Sequence, residues 1–127
     1  MIKSYKDLEI WKKALNLAVD CYQLTKDFPK EEMFGLAIQI KRSAVSVPSN
    51  IAEGRSRIHP KEFIQFLSLS RGSLAELETQ LEISQRLGFS NSEKYLKLFC
   101  AITHITKMLN ATLTTLRTKL NPLVPNP

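Results

Sequence analysis

Residues 34–55 read FGLAIQIKRSAVSVPSNIAEGR, and their periodicity is the clearest structural signal in the chain. Apolar residues recur here every three or four positions, which predicts an α-helix. Pro48 lies inside this pattern, where it removes one backbone hydrogen bond and crowds the carbonyl of Ala44. Because the pattern continues beyond the proline, we predict one kinked helix rather than two. The predicted buried stripe comprises Ala37, Ile40, Ala44, Val47 and Ile51.

A second apolar stripe runs beside the first on the same helix. Its members are Phe34, Ile38, Val45 and Ala52. A surface helix of a monomeric bundle needs only one apolar face. We therefore predict a second buried interface, most simply with another copy of the same chain.

Three further segments show helical spacing, and none alternates as a half-buried strand would. Short connections near residues 27–29, 55–59 and 88–91 favour antiparallel neighbours. We predict an all-α single domain, an antiparallel up-down-up-down four-helix bundle with a proline-kinked second helix, over residues 1–120. A Pro-rich flexible tail, 121–127, follows it. The predicted stripes are Leu8, Trp11, Leu15, Ala18 and Tyr22; Phe63, Leu67, Ser70, Leu74, Leu77, Leu81 and Ser84; and Phe99, Ile102, Thr106, Leu109, Leu113, Leu116 and Leu120.

Residues that favour helix ends flank these segments. Ser90 and Glu93 predict a capping box at the start of the fourth helix. Pro29, followed by two glutamates, predicts the start of the second helix, because carboxylates favour the positive end of the helix dipole. Pro60 suits the first position of the third helix, and Gly88 predicts its end.

Composition limits the fold and the cellular compartment. The 127 residues include 18 basic and 12 acidic ones, for a formal net charge of +6. This length suits one domain and excludes a TIM barrel, which needs roughly 250 residues. Two cysteines outside any C-x-x-C pair form no disulfide framework. Without a secretory signal or an apolar run of roughly 18 residues, we expect a cytoplasmic protein that does not span a membrane.

Residue types that carry catalysis are sparse. A carboxylate-bridged di-iron bundle needs two Glu-x-x-His motifs, and no glutamate here has a histidine three residues later. Cys21 and Cys100 fall within helices, where free cysteine usually behaves as a small hydrophobe. His104 suits a structural or solvent-facing position, and the glycines form no phosphate-binding pattern. We expect no catalytic residue, no cofactor and no metal, and hence no enzyme.

Two motifs carry a family resemblance. Residues 42–54, RSAVSVPSNIAEG, and residues 72–81, GSLAELETQL, resemble the signatures of the four-helix-bundle proteins encoded by 23S rRNA intervening sequences. Residues 5–11, YKDLEIW, and the pair at 28–29 fit the family's N-terminal pattern, so the resemblance covers roughly residues 4–120.

The resemblance implies a left-handed antiparallel bundle that assembles as a homo-oligomeric ring, typically a homopentamer. Members were first noticed inside insertions in bacterial rRNA genes, and their biochemical function is unknown. Suggested partners are rRNA and ribosomal components. The resemblance supplies no catalytic residue.

The second-helix motif allows two interpretations. Four of its polar residues follow spacings of four, four and three and therefore share one helix face: Arg42, Ser46, Asn50 and Glu53. This face is either a recognition strip anchored by Arg42 or a structural element that caps the kink and pairs with residues such as Arg71. In the second case Gly72 and Ser73 permit close approach of helices two and three. We favour the structural interpretation, because Pro48 leaves backbone groups to be satisfied. The motif residues in question are Ser46, Pro48, Asn50, Glu53 and Gly54.

Positive charge is concentrated in two regions. Residues 41–61 carry a net charge of +4, and residues 94–127 hold five basic residues and no acidic one. The third helix between them carries −3 over residues 62–82. Basic faces of this kind suit nucleic-acid phosphates. The predicted contacts with nucleic acid or another partner are Arg42, Arg55, Arg57, Lys61, Lys94, Lys97, Lys107, Arg117 and Lys119.

Two functions follow from these patterns. The first is a non-catalytic, ring-forming protein that associates with rRNA or other nucleic acid through its basic faces. Aromatic residues are not interleaved with the basic ones, so contacts would address the backbone with little sequence selectivity. The alternative is a protein–protein interaction scaffold without nucleic-acid binding, in which the second-helix motif serves assembly and the charge aids solubility.

Overall fold

The computed structural model describes residues 4–121 and shows four α-helices. Two short 3₁₀ turns, Tyr5–Asp7 and Lys30–Glu32, precede the first and second helices. The described residues contain no β-strand, which confirms the all-α prediction. Apart from Asn121, the predicted tail lies outside the described residues. The helices are α1, Glu9–Thr25; α2, Leu36–Arg55; α3, Pro60–Arg86; and α4, Ser92–Leu120.

The four helices surround one core. Helix α2 packs against α1 and α3, and α4 packs against α1 and α3. Along the α2–α3 contact, Ser43 bonds Glu76 and Ser46 bonds Ser73, so residue numbers rise on one helix as they fall on the other. This is the order of contacts made by helices that run in opposite directions.

The sequence locates the core correctly on α2 and α3. Every residue of the predicted α2 stripe is buried, and so is the α3 stripe from Leu67 to Ser84. On α4, Ile102, Leu109 and Leu113 are buried as predicted. The remaining predicted α4 positions are only partly buried: Phe99 and Thr106 lie on the flank of the buried face, and Leu116 and Leu120 lie at the C-terminal end of the helix. Tyr95, Leu98 and Ile105 complete the α4 core instead.

Helix α1 buries a different face from the predicted one. Leu15 and Tyr22 of the predicted stripe are exposed, and Trp11 is only partly buried. The buried face shares only Ala18 with the predicted stripe. The stripe prediction is therefore right for Ala18 and wrong for Leu15 and Tyr22. The buried α1 residues are Ile10, Ala14, Leu17, Ala18, Cys21, Leu24 and Thr25.

Two predicted helix starts are wrong. At α4 the capping side chain is Asn91, whose Oδ1 accepts a hydrogen bond from the Lys94 amide at 3.0 Å. The Ser90 hydroxyl instead donates to Asp27 Oδ2 at 2.6 Å, on the connection that follows α1. Residues after Pro29 form a 3₁₀ turn, and α2 begins only at residue 36.

The two predicted ends of α3 are confirmed. Pro60 is its first residue, where the missing N–H is not needed. Gly88 has φ of 75°, a left-handed conformation that glycine adopts without strain. Its amide donates to Gln85 O, and the Phe89 amide donates to Ser84 O. This pair of bonds is the Schellman arrangement that terminates a helix.

Helix α2 continues through Pro48 as one helix, as predicted. Its kink stays a prediction. Side-chain donors do bond the backbone near the proline: Asn50 Nδ2 donates to Ser46 O at 2.8 Å, and the Ser70 hydroxyl donates to Val47 O at 2.7 Å. These acceptors lie two and three residues beyond the carbonyl that the proline frees.

The two cysteines occupy different environments. Cys21 is fully buried, whereas Cys100 is exposed, so the interpretation as a small buried hydrophobe is right only for Cys21. Burial, assisted by the charge of Asp20, raises the pKa of the Cys21 thiol from 9.0 to about 12. The Cys21 thiol therefore stays protonated in the folded protein at pH values where an unfolded one ionises.

We expect Cys21 to make the protein less stable in alkali. Above pH 9 the unfolded state loses the thiol proton and the folded state keeps it to about pH 12. Linkage then lowers the free energy of unfolding by about 1.4 kcal/mol per pH unit within that window. Urea unfolding at stepped pH measures this slope. The slope should be shallower by this amount in Cys21→Ala, and equal slopes in the two proteins would contradict the assignment.

Candidate functional site

One end of the bundle collects basic side chains. It comprises the C-terminus of α2, the loop 56–59, the N-terminus of α3 and the C-terminus of α4. The α3–α4 contact pairs Ser84 with Tyr95 and Arg71 with Asn110. At a rise of about 1.5 Å per residue, the last turns of α4 therefore lie level with the start of α3. We call this surface the basic end; its residues are Arg55, Arg57, Lys61, Arg117 and Lys119.

Within the described residues, most of the basic end is free of carboxylate partners. No ion pair there engages Arg55, Lys61, Arg117 or Lys119. Arg57 is the exception, because its Nη2 lies 2.6 Å from Glu53 Oε1 and its guanidinium stacks 5.0 Å from the centroid of the Phe66 ring. Exposed ion pairs of this kind contribute only about 0–1 kcal/mol, so a phosphate can replace the carboxylate.

Two of the predicted contact residues lie at the other end of the molecule. Lys94 Nζ is 2.7 Å from Asp27 Oδ2, and Lys97 Nζ is 3.8 Å from Asp20 Oδ2. The hydrogen bonds from Lys94 and Ser90 lower the pKa of the Asp27 carboxyl. These lysines join α4 to α1 and to the connection that follows it.

The remaining two predicted contacts lie midway along the bundle. Arg42 shares a shallow hollow with Tyr22, Ile38 and Val45. Lys107 lies on the outer side of α4, in a hollow that His104 also lines. The structure thus gathers five of the nine predicted residues at the basic end and separates four from it.

Sequence reasoning missed the basic residues of α1. The cation–π contact of Lys41 with Tyr22 joins the last turns of α1 to the first half of α2. The start of α1 consequently lies toward the basic end, and it carries the exposed Lys12 and Lys13. Acidic residues nearby in the sequence offset the charge of these lysines, so the net charge of each segment did not reveal them. The net charge at each end of the predicted helices would have revealed them.

The second-helix motif makes structural contacts. Ser46 Oγ lies 2.8 Å from Ser73 Oγ on α3, and Asn50 Nδ2 bonds the same Ser46 hydroxyl at 2.9 Å. A Cβ added at Gly54 would lie 2.7 Å from Phe66 Cβ and 3.0 Å from Phe63 Cδ1. Three motif residues (Ser46, Asn50 and Gly54) are buried or partly buried along this contact, as the structural interpretation requires, and Pro48 is buried as well.

Two details of that interpretation are wrong. Glu53 pairs with Arg57 on its own helix, whereas Arg71 Nη1 donates to Asn110 Oδ1 on α4 at 2.9 Å. Gly72 has no atom within 4 Å of its hypothetical Cβ, so it does not permit close approach. Gly54 has that role instead.

The comparisons with known proteins agree with these motifs. The family model of the 23S rRNA-intervening sequence protein matches residues 6–111. The chain belongs to this family. A solved structure from Bacteroides thetaiotaomicron VPI-5482, of a protein with unknown function from the S23 ribosomal protein family, is 26% identical with a TM-score of 0.74. The alignment covers 82% of this chain and 97% of that one. No curated protein matches the chain.

Among residues 4–121, no three or more His, Cys, Asp or Glu side chains group as metal ligands would. Over the same residues, no helix is both long and apolar enough to cross a membrane. His59 and His104, the two histidines, are both exposed.

Proposed function

We propose that this protein is a non-catalytic RNA-associated protein that binds phosphate groups through the basic end. The observation that carries the proposal is the convergence of α2, α3 and α4 at that end. Four cations there, Arg55, Lys61, Arg117 and Lys119, have no carboxylate partner among the described residues. Each phosphate that they neutralise releases counterions from the RNA, which favours association at low salt.

The contacts should address the RNA backbone rather than its bases. Base stacking requires exposed aromatic rings beside the cations. Here Arg57 covers the Phe66 ring, and Trp11 is partly buried with its ring edge-on to Tyr5 at 5.3 Å between centroids. We therefore expect weak sequence selectivity, with rRNA or ribosomal components as the partners that the family suggests.

Self-association would strengthen such a weak site. A face between α1 and α2 exposes apolar residues, and it includes Ile38 and Val45 of the predicted second stripe. Covering this face with another copy would bring several basic ends into one particle. Linked sites gain affinity without any new contact, because later binding events become intramolecular. A homo-oligomeric ring, which the family resemblance implies, would have this property.

Charge reversal at the basic end tests RNA binding. We expect Arg55→Glu/Lys61→Glu to weaken binding to a structured RNA at least about tenfold, because two phosphate contacts become repulsive. The matched control is Lys26→Glu/Lys30→Glu, which changes the charge equally at the opposite end and should alter affinity much less. If both variants lose RNA affinity equally, the loss reflects only the change in net charge, and a localised binding site is rejected.

The scaffold function is favoured by a different observation, the exposed apolar face between α1 and α2. The same two variants distinguish it. If Arg55→Glu/Lys61→Glu dissociates the assembly, as measured by mass in solution, then those residues lie in a subunit interface. If the assembled wild-type protein binds no RNA at low salt, the proposal that the basic end binds RNA is rejected.

A further inference from the structure

The outer side of α3 carries an unpartnered apolar stripe. Leu69, Ile83 and Leu87 are 54%, 47% and 58% exposed. With Glu76 they follow spacings of seven, seven and four, so all four lie on one side of the helix. Glu76 accepts a hydrogen bond from Ser43 of α2 at 3.0 Å, which locates this α3 stripe beside the α2–α3 groove.

The polar centre of the α3 stripe has more acceptors than donors. Gln80 Nε2 donates to Glu76 Oε1 at 3.4 Å, the same oxygen that Ser43 uses. Gln80 is only 8% exposed, and within residues 4–121 its Oε1 has no hydrogen-bond partner. That amide oxygen is buried, whereas the Glu76 carboxylate is exposed and has no ion-pair partner among the described residues, so it favours a cationic donor from outside the chain.

The face between α1 and α2 is also apolar, but its bordering charges are positive. On α1 the exposed apolar residues share one side of the helix, and on α2 the partly exposed ones flank Arg42. Lys41 lies 5.1 Å from the centroid of the Tyr22 ring, so two cations border this apolar surface. We call it the α1/α2 face; its residues are Leu15, Val19, Tyr22, Ile38, Lys41, Arg42 and Val45.

We propose that the α3 stripe of one copy of this chain docks on the α1/α2 face of the next copy, with Glu76 meeting Arg42. The proposal rests on the self-association proposed above and adds the two surfaces and their charge pairing. Apolar residues meet apolar residues, and the Glu76 carboxylate of one surface meets the cations of the other.

Pairing each surface with itself is less favourable. Two α1/α2 faces would bring Arg42 and Lys41 against the same cations, and two α3 stripes would bring Glu76 against its own copy. Docking is therefore head-to-tail, and every copy offers both surfaces. Contacts of this type build closed rings or open filaments rather than simple two-fold dimers.

Charge swapping tests the pairing through the mass of the particle in solution, measured without RNA. Glu76→Arg should raise the subunit dissociation constant at least about tenfold and shift the particle toward the 14.5 kDa monomer. Arg42→Glu should do the same. The double variant Arg42→Glu/Glu76→Arg restores the opposite charges and should recover the wild-type mass. Glu78→Arg, on the same helix outside the stripe, is the matched control and should keep it.

Leu69→Asp tests the α3 stripe without removing the hydrogen bond between Ser43 and Glu76, and this variant too should dissociate the assembly. Helicity measured by circular dichroism confirms that each variant is folded. The proposal is overturned by a monomeric wild-type protein, by an unchanged mass in folded Glu76→Arg, or by a double variant that stays dissociated. An assembled wild-type protein that binds no RNA at low salt would reject the RNA function and leave this docking intact.

Discussion

Gly54→Ala is expected to lower the free energy of unfolding by about 1–3 kcal/mol, the usual effect of overpacking a close contact. The added Cβ would lie 2.7 Å from Phe66 Cβ, a distance that real Cβ atoms do not adopt. That neighbour is the root of an aromatic side chain rather than a flexible tip. Helices α2 and α3 must therefore separate locally and lose packing around Phe63 and Phe66. Urea unfolding of the variant measures the loss.

Gly72→Ala is the matched control on the facing helix. Its new Cβ would have no atom within 4 Å, and its position is exposed inside α3. Alanine is the better helix former by about 0.5–1 kcal/mol, so this substitution should stabilise the protein. Opposite signs for the two glycines are the expected result. Equal destabilisation would show that α2 and α3 do not approach most closely at Gly54.

Leu109→Ala is expected to cost about 2–5 kcal/mol of the free energy of unfolding. Leu109 is fully buried on α4, and the truncation leaves a cavity that the four packed helices cannot fill. Leu96→Ala, on the same helix at a leucine that is 64% exposed, should change stability by less than about 0.5 kcal/mol. Thermal or urea unfolding of both variants provides the comparison. A small effect at Leu109 would contradict the predicted inward face of α4.

Periodicity located the buried stripe of α2 correctly, although a second apolar stripe runs beside it. Ile40, Val47 and Ile51 of the predicted stripe are all buried. On α1 both the predicted stripe and the buried one are apolar, and only packing against α2 and α4 shows which one is internal. Leu15 and Tyr22 belong to the exposed stripe, so the error there coincides with the surface that we assign to docking.

Tertiary contacts decided the features that local rules missed. Ser90 has the right spacing for a capping box, yet its hydroxyl bonds Asp27, which is 63 residues away in the chain. Gly54 and Gly72 look equivalent in sequence, and only the aromatic residues opposite Gly54 distinguish them. Contacts of this kind depend on how helices pair, which spacing within one helix does not encode.

Only part of the candidate site could be predicted from the sequence, again because its assembly depends on how the helices pair. Arg55 and Lys61 are close along the chain and stay together in the fold. Arg117 and Lys119 reach the same end only because α4 runs back along α3. Lys94 belongs to the same basic segment, but it lies at the far end, paired with Asp27. Counting charges along the sequence therefore predicted that a basic surface exists, but not where on the bundle it lies.

A titration of wild-type protein with structured RNA at several salt concentrations tests the central claim most directly. If the basic end neutralises three or more phosphates, affinity should fall steeply with salt, with a log–log slope of about −2 or steeper. The slope should become shallower in Arg55→Glu/Lys61→Glu. A flat response, or no binding at low salt, would contradict RNA association through this surface.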